Sequence, residues 1–79
     1  MDWENMQVLS NGDTFVPDSD GYVLCSGSTT SKSSQIIYNN TIICRAVNAC
    51  QYTPVNAGMT LKVVTGGTET YALFIPYLN

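Results

Sequence analysis

The chain has 79 residues and a mass of 8.6 kDa, enough for one domain, and it is 44% hydrophobic but only 11% charged, so 26 Ser, Thr, Asn and Gln residues must build most of its surface. A net charge of −3 with only Lys32, Arg45 and Lys62 as cations argues against a nucleic-acid partner, which needs several phosphate contacts. The absence of His and of any Cys-x-x-Cys spacing removes zinc-type centres and Ser–His or Cys–His nucleophiles, and no apolar run approaches the ~18 residues of a membrane span.

Helical periodicity is missing, and short β-branched and aromatic runs alternate with Gly, Asn, Pro and Ser clusters. Met6-Gln7-Val8-Leu9 predicts an opening strand closed by Asn11-Gly12. Thr14-Phe15-Val16 predicts a second, stopped by Pro17, which has no N–H to give a ladder. The turn residues Asp18-Ser19-Asp20 lead into a strand over 21–26, with Gly21 read as a positive-φ position. Seven of the nine residues 26–34 are Ser or Thr, which predicts an exposed loop carrying Thr29 and Thr30. Gln35-Ile36-Ile37-Tyr38 and Thr41-Ile42-Ile43-Cys44 flank Asn39-Asn40, and asparagine tolerates the positive φ of a two-residue hairpin turn. The second of these strands is read as running on through Arg45-Ala46-Val47 to Asn48. A loop is expected around Gln51-Tyr52-Thr53-Pro54, after which Ala57-Gly58 bends the chain into a strand over 60–65. Gly66-Gly67 then turns it into a last strand, Tyr71-Ala72-Leu73-Phe74-Ile75, ended by Pro76. Seven or eight short strands predict an all-β fold, a small antiparallel β-sandwich of the jelly-roll type filling residues 1–79.

Alternation assigns the faces. Leu61, Val63 and Thr65 share one side of their strand, and Lys62 and Val64 share the other. In the last strand Tyr71, Leu73 and Ile75 oppose Ala72 and Phe74, so both faces are apolar. A domain this small buries only about 60% of its unfolded surface, so Tyr71, Leu73, Phe74 and Ile75 become candidates for a core or an interface between subunits. Of Cys25, Cys44 and Cys50, at least one is unpaired within a chain; Cys44 lies in an apolar run and reads as a buried reduced thiol, with a Cys44–Cys50 bridge as the alternative.

Five of the six acids fall in the first twenty residues, either as a soluble surface or facing the more basic body of a neighbouring copy. Asp13, Asp18 and Asp20 read as turn acids accepting backbone hydrogen bonds rather than as catalytic or calcium-binding carboxylates, so neither an enzymatic activity nor a cofactor is expected. Tyrosine and tryptophan together outnumber phenylalanine three to one, and such rings suit both sugar stacking and subunit contacts. Tyr52 and Tyr38, with the hairpin tip Asn39-Asn40 and the loop residues Thr29 and Thr30, form the candidate ligand-binding set. Met1-Asp2-Trp3-Glu4 carries no signal segment and reads as the start of a piece cut from a longer protein, ahead of a cytoplasmic chain or a chain whose signal has been removed.

Four segments in this order, residues 12–23 (Gly12-Asp13-Thr14-Phe15-Val16-Pro17 through Asp20-Gly21-Tyr22-Val23), residues 36–42, Pro54-Val55-Asn56-Ala57-Gly58-Met59-Thr60-Leu61, and Phe74-Ile75-Pro76-Tyr77, resemble the small C-terminal head or tip domains of bacteriophage tail fibres and receptor-binding proteins. The resemblance implies a jelly-roll-like fold, a homotrimer, a place on the virion, and a bacterial surface glycan or protein as partner. Two other functions compete with a host-binding tip: a monomeric secreted carbohydrate-binding module, and a structural capsid-decoration or baseplate protein.

Overall fold

In a computed structural model that describes residues 2–27, 33–66 and 70–77, Asn39 and Asn40 adopt φ of 53° and 63°, the left-handed pair that a two-residue hairpin turn requires. That turn joins two of the eight strands among the described residues: β1 (Gln7–Leu9), β2 (Thr14–Phe15), β3 (Gly21–Gly27), β4 (Ser34–Tyr38), β5 (Thr41–Ala46), β6 (Ala49–Val55), β7 (Leu61–Thr65) and β8 (Tyr71–Pro76). A single 3₁₀ turn, Trp3–Asn5, precedes them. The strands form two antiparallel sheets, a first in the order β1-β8-β3-β6 and a second in the order β2-β7-β4-β5. First pairs with last, second with seventh, third with sixth and fourth with fifth, the pairs falling alternately in the two sheets. The chain is thus one long antiparallel hairpin with the Asn39-Asn40 turn at its tip, rolled so that the two sheets face each other, which is the jelly roll.

Alternating side chains supply the core between the sheets. Val23 and Cys25 of β3 with Ala72 and Phe74 of β8 point inward from the first sheet, meeting Ile36 of β4 with Leu61 and Val63 of β7 from the second. Phe74 is fully buried and its ring lies 5.2 Å from that of Phe15. Burial of each large side chain contributes roughly 1.5–3 kcal/mol. Of the two places expected for Phe74, a core or an interface between subunits, it takes the chain's own core, because its face of β8 packs against the second sheet.

Three further readings change. The loop expected around Gln51–Pro54 is strand β6, and Pro54 sits in it opposite Tyr22. β6 is an edge, where a proline ring can replace an N–H that faces away from the neighbouring strand. Gly21 has no positive φ; a Cβ there would collide with the Ile75 carbonyl and approach the Phe74 ring to 2.9 Å, so the requirement is close approach of β3 to β8. Ser26 and Ser34 lie in strands, and Ser34 is fully buried with its hydroxyl donating to the Ser26 carbonyl at 2.7 Å. Residues 28–32 of the expected loop, including Thr29 and Thr30, and Gly67 of the expected Gly66-Gly67 turn lie outside the described residues.

One irregularity ties the sheets together. Ile36 pairs with Cys44 and Ile37 with Ile42, so Ile43 is the extra residue of a β-bulge. Its carbonyl accepts a hydrogen bond from the Thr53 hydroxyl of β6 at 2.8 Å, which joins the free edges of the two sheets. The chain crosses between those edges at Asn48, whose φ is 57°.

Candidate binding site

Two of the turn acids, Asp13 and Asp20, shape loops. Asp20 Oδ1 accepts from the Ala57 amide at 2.8 Å, and the Gly58 amide, at φ 87°, donates to the Pro17 carbonyl at 2.9 Å, fixing the 56–59 turn against the start of the chain. Asp13 Oδ2 accepts from the Ser10 amide at 3.1 Å, while Asn11 Oδ1 accepts from the Thr65 amide at 3.0 Å. These side chains do the work of turn residues, satisfying amides that would otherwise lack partners.

Between the 56–59 turn and the Asn39-Asn40 hairpin tip lies an open groove of about 550 Å³ on the outer face of the second sheet. Register builds it: Thr14 of β2 stands beside Lys62 of β7, and Lys62 beside Ile37 of β4. Tyr38, Asn39, Asn40, Gly58 and Thr60 complete its lining. The volume falls in the usual ligand-site range of ~300–1,000 Å³. Among the described residues, two threonine hydroxyls, the ring and phenol of Tyr38, two side-chain amides, one aliphatic floor and one ammonium group form its lining, a set suited to a hydroxyl-rich ligand. Among the described residues Lys62 is the only charged one in that lining, and it is exposed.

The first sheet presents a different outer face. Its register places Val8, Leu73, Leu24 and Tyr52 in one row and Ile75, Tyr22 and Pro54 in the next. Leu24, Leu73 and Ile75 are buried there as a second, smaller apolar cluster, while Val8 is 69% and Tyr52 49% exposed. Tyr22 holds its neighbours edge-on, Tyr77 at 5.0 Å and Tyr52 at 6.5 Å between ring centroids. Desolvation, with Tyr22 and then Asp20 alongside, pushes the Tyr77 phenol above its ordinary range. The 3₁₀ turn is pinned next to β8, where the Asp2 amide donates to the Pro76 carbonyl at 2.7 Å.

The expected ligand set is thus divided. Tyr38, Asn39 and Asn40 come together in the groove, whereas Tyr52 lies on the opposite sheet, on a strand rather than a loop, and Thr29 and Thr30 are outside the described residues. Tyr71, Leu73 and Ile75 of the expected interface do point outward from the first sheet, Leu73 and Ile75 already covered by neighbours within the chain. Sequence reasoning missed Thr14, Thr60 and Lys62 as partners of the hairpin tip. The outward alternation of Lys62 was readable, but the β2–β7 and β4–β7 pairings that carry it to Tyr38 were not. Cys50 and Cys44 cannot bridge: Cys50 is exposed on the Tyr52 side of β6, and the Cys44 thiol points into the core.

Among the described residues no helix is long and apolar enough to cross a membrane. Compared with protein-family models, curated proteins and solved structures, the chain matches none.

Proposed function

We propose that this chain is a non-enzymatic virion protein, the tip domain of a bacteriophage tail fibre or receptor-binding protein, which assembles as a homotrimer and contacts a glycan or protein of the bacterial surface. The observation that carries the reading is the division of labour between the two sheets: a tyrosine-rich apolar face on the first and a polar groove on the second. Opposite faces of one sandwich can serve assembly and recognition without competing. The motif resemblance and the jelly roll, an architecture used by capsid and lectin domains, support the same reading.

In this assignment the exposed Val8, Tyr52 and Tyr71 of the first sheet's outer face meet a neighbouring copy, adding apolar burial that a 79-residue chain needs. The groove stays open to the host, with Tyr38 stacking on a sugar ring and Asn39, Asn40, Thr14 and Thr60 matching its hydroxyls.

Light scattering coupled to size exclusion tests assembly, and adhesion to host cells or purified surface polysaccharide tests recognition. A mass near three chains with adhesion is expected. A monomer would overturn the virion reading in favour of a secreted glycan-binding module, and a trimer that adheres to nothing would move the chain to a decoration or baseplate role.

A further inference from the structure

We propose that Cys25 and Cys44 are a site of disulfide formation that staples the two sheets of the sandwich across the core. Cys25 lies on β3 of the first sheet and Cys44 on β5 of the second, both turned inward, 0% and 4% exposed. Both belong to the one buried cluster between the sheets, and Gln51, whose carbonyl the Cys44 thiol meets at 3.6 Å, is the β6 residue directly opposite Cys25, so two thiols from strands in different sheets are close neighbours. β5 and β6 are edge strands of their sheets, so this contact places the Cys44 sulfur near the rim of the sandwich. One slack point adjoins the pair, the Ile43 bulge next to Cys44. Bond formation draws the sulfurs together, and a bulged strand accommodates that shift more easily than a regular one.

The chemistry closes with a hydroperoxide as oxidant. Cys44 is the sulfur that ionises first: the Cys25 thiol donates to it and lowers it to about 7, against the effect of burial, while Cys25 is pushed up by the same contact. The Cys44 thiolate attacks the peroxide oxygen, giving a sulfenic acid and releasing hydroxide. Cys25 sulfur then attacks Cys44 sulfur, the sulfenic oxygen leaves as water with the Cys25 proton, and the hydroxide takes up the proton first lost by Cys44. Two thiols and one hydrogen peroxide become one disulfide and two waters. Hydrogen peroxide is close to water in size, so it can reach a sulfur at an edge strand where a larger oxidant cannot. The bond closes the chain segment 26–43, removing freedom from the unfolded state. Cys50, on the far side of β6, takes no part.

The test uses the whole chain carrying Cys50→Ser, reduced and then treated with hydrogen peroxide. After the peroxide is removed and the chain denatured, both thiols are expected to be lost, with the mass lower by two hydrogens. The chain is expected to migrate as a single species on a non-reducing denaturing gel, and the unfolding midpoint to rise by at least roughly 5 °C. Oxidation should quicken with pH through about 7, following the Cys44 thiolate. The double variant Cys25→Ser/Cys50→Ser should gain oxygen at Cys44 and show no such rise. Retention of both thiols in Cys50→Ser, gain of oxygen in place of hydrogen loss, or linkage to a second chain would overturn the proposal. The unsubstituted chain gives an independent reading, its three thiols falling to one that maps to Cys50.

Discussion

At position 21 the absence of a side chain decides whether β3 and β8 can lie side by side. A Cβ on Gly21 would collide with the Ile75 carbonyl, and backbone atoms cannot move aside as a flexible side-chain end could. Gly21→Ala is expected to lower stability by about 2 kcal/mol or more, seen as a lower urea midpoint with unchanged slope. An unchanged midpoint would mean that the two strands have more room than their register implies. The aromatic residues show the same dependence on position. Phe74 and Tyr71 are three residues apart in one strand, yet one fills the core against Phe15 and the other stands outside, because strand periodicity sends them to opposite faces.

At the scale of elements, the β4–β5 hairpin performs two tasks. Its turn needs left-handed backbone at Asn39 and Asn40, so Asn40→Val should cost about 1–2 kcal/mol while Asn40→Gly stays within a few tenths. Thermal unfolding of the pair checks this, and equal losses in both variants would point to the amide rather than the backbone as the stabilising feature. The hairpin also carries one wall of the groove. Tyr38→Ala and Lys62→Ala alter exposed side chains, so each is expected to leave the unfolding midpoint and the assembled mass unchanged and to reduce host adhesion by roughly tenfold or more, the loss of one stacked ring or one charged contact. Wild-type adhesion in both would remove the groove from the recognition surface.

For the molecule as a whole, the distribution of exposed apolar groups is the feature to explain. A jelly roll needs only its inner faces to be apolar, yet the outer face of the first sheet carries Val8, Tyr52, Tyr71 and the Tyr22–Tyr77 pair above the buried Leu24, Leu73 and Ile75. Val8→Glu with Tyr52→Glu places charges at exposed positions, which leaves the core intact. The double variant is expected to retain its β-sheet circular dichroism and run as a monomer, with a midpoint that no longer rises with protein concentration. A variant that still assembles would place the interface elsewhere.

Much of the architecture was legible in local chemistry, since the Asn39-Asn40 turn, the alternation in 61–65 and the Pro and Gly punctuation bound nearly every strand to within a residue or two. Those signals are short-range, and they determined the fold class, every strand but β6 and which residues of a strand share a face. Tertiary structure alone decided what lies beyond each face. It set the second sheet against the Ala72–Phe74 face of β8 and so drew Phe74 into the core, and it made β6 an edge that can hold Pro54, turning an expected loop into a strand. Pairing of β7 with both β2 and β4 carried Lys62 and Thr14 to the hairpin tip while leaving Tyr52 on the other sheet. The physical reason is common to all of these: strand partners far apart in sequence are chosen by the packing of the whole core, which no local run of residues encodes.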